Sequence, residues 1–156
     1  MPATPTVTRV DSERYGIHLD WPSDWSPRQS KDFVLELVPK ESSGATISLD
    51  VPDLPPHLPG MIRMNLVANG LLDDLKKEQP SLQVVEQKDV QMPSASARRI
   101  ATTWKTKDGT EYRQDALLMV HADRVYIIRG TSPAKDAQRV RDAFEKITSS
   151  LKWIGK

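Results

Sequence analysis

The feature that most constrains this 156-residue chain is a succession of three β-rich segments between residues 97 and 131. Asp108-Gly109 separates the first two segments, and this dipeptide is typical of a hairpin loop because glycine adopts positive φ at little steric cost. A second break at Ala122-Asp123 precedes the third segment. The pattern predicts an antiparallel meander in the middle of a sheet.

The hairpin loop also predicts how the first two strands pair. A two-residue loop at Asp108-Gly109 would place Trp104 opposite Arg113, a plausible cation–π pair. One face should then carry Ile100, Thr102, Trp104, Arg113, Asp115, Leu117, Met119, Tyr126 and Ile128. The other should carry Ala97, Ala101, Thr103, Tyr112, Ala116, Leu118, Val120, Val125 and Ile127. Both faces are apolar near Leu117–Val120, so we expect cover on both sides there, with the hairpin projecting into solvent.

Two amphipathic helices are predicted to supply this cover. The first lies near Met61–Gln79, and Gly70, which lowers its helix propensity by about 1 kcal/mol relative to alanine, is interpreted as a point of close packing on the sheet. The second begins at a Ser132 cap with Pro133 in the first helical position and ends before Gly155. The apolar stripe of the first helix is Met61, Met64, Ala68, Leu71 and Leu75. That of the second is Ala137, Val140, Phe144, Ile147, Leu151 and Ile154.

The remaining segments predict a β-β-β-α-β-β-β-β-α order. Further strands are expected at 15–21, 33–38, 45–51 and 82–91, and Val7–Val10 could add an edge strand. Runs of strands with inserted helices are typical of α+β proteins with a mainly antiparallel sheet. We expect one domain over residues 14–156, preceded by an arm or linker at 1–13.

Composition excludes some classes of function. The chain has 22 basic and 21 acidic residues, a net charge of +1 and no cysteine, which argues against nucleic-acid binding by bulk electrostatics and against thiol chemistry. No apolar run approaches the roughly 20 residues of a membrane span. The first residues do not resemble a signal peptide; their prolines and threonines are typical of the linker that follows a removed signal or anchor.

No recognisable catalytic, cofactor or metal motif is present. The chain lacks Gly-x-Ser-x-Gly and glycine-rich phosphate loops, and its three histidines (His18, His57 and His121) have no partner at metal-site spacing. Asp73 and Asp74 point about 100° apart on the predicted helix, so they are interpreted as a solvated pair. Trp21 and Trp25 could stack a ligand, but core packing is the simpler interpretation.

Arginines gather on the meander, and they are the one weak indication of a partner surface. They are Arg98, Arg99, Arg113, Arg124 and Arg129. Ordinary charge balance with Glu111, Asp115 and Asp123 would explain them. The alternative is a docking surface at the hairpin, a loop held on a rigid frame. The candidate residues for that surface are Arg99, Trp104, Asp108 and Arg113.

The chain resembles the PsbP-like superfamily, which includes PsbP, the DcrB-like lipoproteins and the Mog-type Ran-binding factors. The resemblance is carried by Tyr15-Gly-Ile-His-Leu-Asp-Trp-Pro-Ser-Asp-Trp25, by the strands around Ala97-Arg-Arg-Ile, Tyr112-Arg-Gln and Val125-Tyr-Ile-Ile, and by Phe144…Leu151 in the closing helix. It implies an α/β/α sandwich on an antiparallel sheet and carries over no catalytic residue. Such proteins mostly bind other proteins or assemble on membranes, often behind a lipoprotein signal.

Three hypotheses follow. The first is a non-enzymatic protein-interaction or assembly module of an exported bacterial protein, periplasmic or membrane-anchored, although a cytoplasmic location stays open. The second is a carrier that holds a small amphiphile between a helix and the sheet, because Met61 and Met64 can pack around irregular shapes. The third is a DcrB-like secretion adaptor or chaperone. The protein partner, any ligand and the oligomeric state are left open; no nucleic acid or cofactor is expected.

Overall fold

A computed structural model of the chain describes residues 7–8, 15–28, 33–40, 44–54, 58–92, 95–122 and 124–153. Within these residues the first strands are β1 (Val7–Thr8), β2 (Ile17–Asp20), β3 (Trp25–Arg28), β4 (Leu35–Pro39) and β5 (Thr46–Asp50). Helix α1 (Gly60–Glu78) follows, then β6 (Gln83–Met92), β7 (Ala95–Lys105), β8 (Glu111–His121) and β9 (Arg124–Pro133). A short 3₁₀ turn (Ala134–Asp136), helix α2 (Ala137–Ser150) and β10 (Lys152–Trp153) complete the order.

The strands form two antiparallel sheets. Seven strands pair in the order β3-β4-β5-β9-β8-β7-β6, and β1-β2-β10 form a smaller sheet. The meander is therefore central, as predicted, and Val7–Thr8 does add an edge strand. The sequence did not predict β3, which contains Pro27 and is accommodated because it lies at the edge of the large sheet.

Adjacent residues of the central strands belong to two different hydrophobic clusters. Leu117 and Ile128 lie in the first cluster, whereas their neighbours Leu118 and Ile127 lie in the second. Because successive side chains of a strand point to opposite faces, the two clusters occupy opposite faces of the sheet. The first cluster receives Val140, Ala143, Phe144 and Ile147 from α2, and the second receives Met64, Val67, Ala68, Leu71 and Leu75 from α1.

The predicted register of the first hairpin is wrong by one residue. Trp104 pairs with Tyr112, and Arg113 pairs with Thr103. A one-residue slip moves every side chain of one strand to the other face, so Ile100 shares a cluster with Ala116 and Leu118, and not with Leu117. The faces predicted for β8 and β9 are confirmed, because His121 pairs with Arg124 as expected.

The error comes from the loop of that hairpin. Thr106 N–H donates to the Thr110 carbonyl (2.9 Å), and Gly109 N–H donates to the Thr106 carbonyl (3.0 Å). Gly109 has φ +86°, which completes a three-residue loop whose last residue is left-handed. Asp-Gly occurs in two-residue and three-residue loops alike, and the two differ by one residue in register.

Helix α2 has the predicted apolar face but different ends. Strand β9 continues through Ser132 to Pro133, so Ser132 is not a helix cap, and the 3₁₀ turn precedes the helix. The helix ends at Ser150, and Leu151 is extended and leads into β10. The positions predicted at Ile154 and Gly155 lie outside the described residues.

Helix α1 lies where the sequence predicted it. Met64, Ala68, Leu71 and Leu75 are buried, but Met61 is 59% exposed. The interpretation of Gly70 is wrong: its position is exposed, and a Cβ placed there would have no heavy atom within 4 Å. Close approach occurs instead at Gly130, where a Cβ would lie 2.7 Å from Val140 Cγ1.

We predict that Gly130→Ala destabilises the fold by about 1–3 kcal/mol, because the added methyl group would overlap a β-branched side chain with little rotamer freedom. Gly70→Ala is the matched control. It should stabilise the fold by about 0.5–1 kcal/mol, since helix propensity rises without a clash. Urea unfolding of both variants measures the difference. Equal free energies of unfolding for Gly130→Ala and the wild type would contradict the packing of α2 on β9.

Candidate functional site

The four candidate partner residues on the meander do not form one surface. Arg99 and Arg113 lie on the face of the sheet that carries Leu117, because Arg99 pairs with Leu117 and Arg113 is separated from it by an even number of residues. Trp104 lies on the opposite face, and Asp108 lies in the hairpin loop. Whether any of the four contacts a partner stays a prediction.

The two arginines are engaged in ion pairs. Arg113 donates two hydrogen bonds to Asp115 (3.0 and 3.1 Å), which raise its pKa above the ordinary value. Arg99 Nη2 lies 3.3 Å from Glu145 Oε1 of α2. The first pair agrees with the charge-balance interpretation of these arginines.

Trp104 is a packing residue on the α1 side of the sheet. Its ring stacks on Tyr112 at a centroid distance of 5.8 Å and an interplanar angle of 5°, and the side chain is 7% exposed. The expected cation–π pair with Arg113 rested on the wrong register, in which these two residues faced each other.

Asp108 stabilises its own loop. Its carboxylate accepts hydrogen bonds from the Thr106 hydroxyl and from Thr110 N–H (3.0 Å). These bonds lower the pKa of Asp108 from its ordinary value.

A groove lies between α1 and the sheet. It has a volume of about 750 Å³. Its apolar lining is Phe33, Pro52, Leu54, Leu66, Val67, Leu71, Leu75, Trp104 and Ile127; its polar lining is Asp50, Asp74, Glu78, Gln79, Gln114, Arg129 and Thr131. The groove therefore combines apolar area with polar groups of both signs, as binding sites commonly do. We name this feature the α1 groove.

Arg129 is the one cation that lines the α1 groove. Its guanidinium lies 5.1 Å from the centre of the Phe33 ring. Burial lowers its pKa from the ordinary value, whereas Asp50, Glu78 and Asp74 act in the opposite direction. Because arginine stays protonated in proteins, these residues form a mixed-charge site in which carboxylates outnumber the cation.

Helix α1 supplies the acidic wall of the groove. Asp74 and Glu78 are one turn apart on the helix and line the groove, whereas Asp73 does not. Asp73 and Asp74 are both exposed, in agreement with their interpretation as a solvated pair, and Asp74 also lines the groove. Gly70 is one turn before Asp74, and its missing side chain leaves the wall open at that position.

The methionines that suggested a ligand site lie elsewhere. Met61 and Met64 line a separate cavity of about 160 Å³ between the start of α1 and strands β6 and β7. Arg98 closes part of that region by donating to Asp89 (2.8 Å) and to Asn65 (3.0 Å). The larger groove adjoins the second half of α1.

The tryptophans and histidines have structural contacts. Trp21 and Trp25 are 9% and 3% exposed and belong to the first core cluster, which confirms the core interpretation. His18 lies 3.4 Å from Asp20, and His121 stacks on Trp153 at 4.0 Å. His57 lies outside the described residues.

The described ranges contain no cluster of three or more histidine and carboxylate side chains that could hold a metal ion. None of their helices combines the length and the apolar character that a bilayer crossing requires.

Comparison with known proteins assigns the chain to a family. The DcrB family model matches residues 57–150, which is more than half of the sequence. The chain belongs to the DcrB family. No curated protein gives a significant sequence match.

Solved structures of the PsbP-like group share the fold of this DcrB-family chain. The cyanobacterial PsbP (CyanoP) of Synechocystis sp. PCC 6803 has a TM-score of 0.75 at 10% identity, over 98% of this chain and 95% of that one. LpqN of Mycobacterium tuberculosis gives 0.65 at 15% identity, over 98% and 87%. The Ran-binding protein Mog1p of Saccharomyces cerevisiae gives 0.62 at 10%, over 96% of each chain. The resemblance inferred from the sequence is confirmed, and at these identities the likeness shows the fold alone.

Sequence reasoning missed the residues that make the groove. Phe33, Asp50 and Arg129 are separated along the chain and lie on different segments, and only the strand order β4-β5-β9 brings them together. The sequence did contain one indication, the glycine at position 70 inside an otherwise regular helix. It was interpreted as close packing, whereas it marks open space.

We predict that the pKa of Asp108 lies below its ordinary value in a carboxyl-carbon NMR titration. Because the ionised carboxylate accepts the two hydrogen bonds, the loop gains this stabilisation above the ordinary pKa and loses it as the pH falls through the lowered one. Thr106→Val should move the pKa of Asp108 back toward the ordinary value, and Thr103→Val should leave it unchanged. An ordinary pKa in the wild-type protein would contradict the loop geometry.

Proposed function

We propose that this DcrB-family chain is a non-catalytic interaction module that holds a segment of a protein partner in the α1 groove. The observation that carries the proposal is the composition of the groove, an apolar floor beside an acidic helix wall. The proposal includes the α/β/α layering expected from the sequence. Helix α1 covers only part of its face of the sheet, and the strip beside β5 and β9 is left as the groove.

The lining favours a peptide segment with apolar and basic side chains. Leu54, Leu71 and Ile127 offer apolar surface to an anchoring side chain, and such burial is worth about 1.5–3 kcal/mol for a large aliphatic residue. Asp74 and Glu78 offer partners for a lysine or arginine at the rim, where charge pairs add specificity and faster association.

Comparison with known proteins supports a protein partner and a location outside the cytoplasm. Mog1p is described as a Ran-binding protein, and it is therefore an example of a protein of this fold that binds another protein. LpqN is described as involved in cell envelope biogenesis. We therefore include an envelope location in the proposal, which cell fractionation of the full-length gene product tests.

A small amphiphile is the second candidate occupant. It is favoured by the position of the groove between a helix and the sheet, and by the apolar atoms that face it. A carrier site is expected to be mainly apolar and to enclose most of its ligand. This groove has polar residues along its length, which agrees less well with an apolar ligand than with a peptide. Native mass spectrometry of the purified protein distinguishes the two candidates, because a carrier would retain a lipid-sized adduct that Gly70→Trp removes.

Position-specific cross-linking is the direct test of the groove. A photoreactive phenylalanine analogue at Gly70 or Leu66 should capture the same protein partner in cells, because both positions line the groove. The same analogue at Lys76 is the control, since that exposed residue lies on another side of α1. Equal capture from Lys76, or no capture from either groove position, would contradict the proposal.

We predict that Asp74→Lys weakens binding of the captured partner by up to about thirtyfold and reduces its dependence on salt. Reversal replaces a rim attraction of about 0.2–1 kcal/mol with a repulsion of similar size. Asp73→Lys is a closely matched control, because it makes the same charge change one residue away on the same helix but outside the groove. Isothermal titration calorimetry at two salt concentrations measures both variants, and equal losses for the two would show that the groove wall is not the contact.

A further inference from the structure

Strand β6 forms one edge of the seven-stranded sheet and is the most exposed strand of the large sheet. Among the strands that the structure describes, it pairs with β7 alone. Eight of its ten residues are exposed, and Val84 and Val85 are 42% and 50% exposed. An edge strand of this length presents unpaired N–H and C=O groups that can pair with another chain.

The sequence of β6 is complementary to itself in the antiparallel direction. Around Gln87, the chain carries Glu86 on one side and Lys88 on the other. If two copies pair with Gln87 opposite Gln87, then each Glu86 faces Lys88 of the other copy. We propose that β6 binds β6 of a second copy in this register, with a two-fold axis through the Gln87 pair.

Neighbouring registers place like charges opposite one another, and the Gln87 axis is the one register within β6 that sets Glu86 opposite Lys88. A two-fold axis perpendicular to the sheet keeps each face on the same side, so only residues on the same face can be directly opposite. Moving the axis to position 86, 88 or 89 would set Glu86, Lys88 or Asp89 against its own counterpart, and like charges directly opposite are destabilising. The Gln87 axis avoids all three and forms two ion pairs.

The contacts within one chain agree with this register. Lys88 lies 3.9 Å from Glu86 of its own strand. Pairing of two copies would therefore bring two Glu86 and two Lys88 side chains together, with opposite charges adjacent. Lys88 also lies opposite Arg99 of β7, which carries the same charge. The Glu86 carboxylate of the second copy, on the outer side of Lys88, would balance this pair of positive charges. Asp89 is engaged by Arg98 at 2.8 Å, whereas the Glu86–Lys88 contact is longer, at 3.9 Å, and each of these two groups can take a second partner.

A bulge limits the length of the regular pairing. The register between β6 and β7 shifts between Val84 and Glu86, so Val85 is an extra residue in β6. The three central pairs begin after this bulge and are unaffected by it. Bulges and charges often protect edge strands from indiscriminate pairing, and here the charges favour the Gln87 register over its neighbours.

The proposed dimer joins two large sheets into one continuous sheet. Because the axis is perpendicular to the sheet, both α1 helices lie on the same side of it. Two α1 grooves would then open on one face of the dimer. The dimer itself does not depend on what the groove binds, so failure of one proposal leaves the other standing.

Charge exchange tests the register. Sedimentation equilibrium of the wild-type chain at submillimolar concentration should give twice the 17.6-kDa chain mass. Glu86→Lys and Lys88→Glu should each raise the dimer dissociation constant at least about tenfold, because each change sets two like charges opposite. The double variant Glu86→Lys/Lys88→Glu should restore the dimer, since the pairs are re-formed with exchanged signs.

Disulfide trapping tests the axis. The chain has no cysteine, so Gln87→Cys introduces a single thiol whose counterpart would lie about 4.5–5.5 Å away between Cα atoms, within the range of a disulfide. Mild oxidation should give a covalent dimer of Gln87→Cys. Gln91→Cys, exposed on the same strand but remote from the axis, should stay monomeric under the same conditions.

Three results would overturn the proposal. They are a wild-type chain that sediments as a monomer, single charge variants that dimerise as well as the wild type, and equal trapping at positions 87 and 91. Circular dichroism of each variant separates a lost dimer from a lost fold. Lys88→Glu is informative here, because it places a carboxylate opposite Arg99 and should leave the folded monomer intact.

Discussion

The structure depends on the pairing of β8 with β9, the two strands whose side chains are buried on both faces. Leu117 and Ile128 pair across the ladder on one face, and Leu118 and Ile127 pair on the other. Their exposed fractions range from 0 to 6%. Since neither face of this pair can be left in water, both faces need cover, and the positions of the helices follow from that need.

The two helices meet this requirement differently. Helix α2 packs closely enough on β9 that Gly130 has no room for a side chain, and the small sheet of β1, β2 and β10 extends the same cluster through Ile17 and Leu19. Helix α1 buries its apolar residues but leaves the strip beside Arg129 uncovered. In the proposed layering, close packing by α2 and the open groove beside α1 both depend on the same central strands.

The sequence predicted what depends on local periodicity. The apolar stripes of α1 and α2 (apart from the exposed Met61), the strand at 15–21 and the central meander all follow from spacing alone. The sequence prediction failed where two structures share one sequence pattern. Asp108-Gly109 suits a loop of two or three residues, and the choice of a two-residue loop exchanged the predicted faces of β7. The edge strand β3 and the two-residue β10 were missed because short segments have too few positions to show a period.

Native-state hydrogen exchange tests the central role of β8 and β9 most directly. Amide groups of Leu117–Met119 and Tyr126–Ile128 should exchange only through global unfolding, with opening free energies equal to that of the whole chain, whereas the described amides of the edge strands β3 and β6 should open at lower free energy. If β8 and β9 exchange at a lower free energy than the edge strands, the doubly buried ladder is not what holds the fold together.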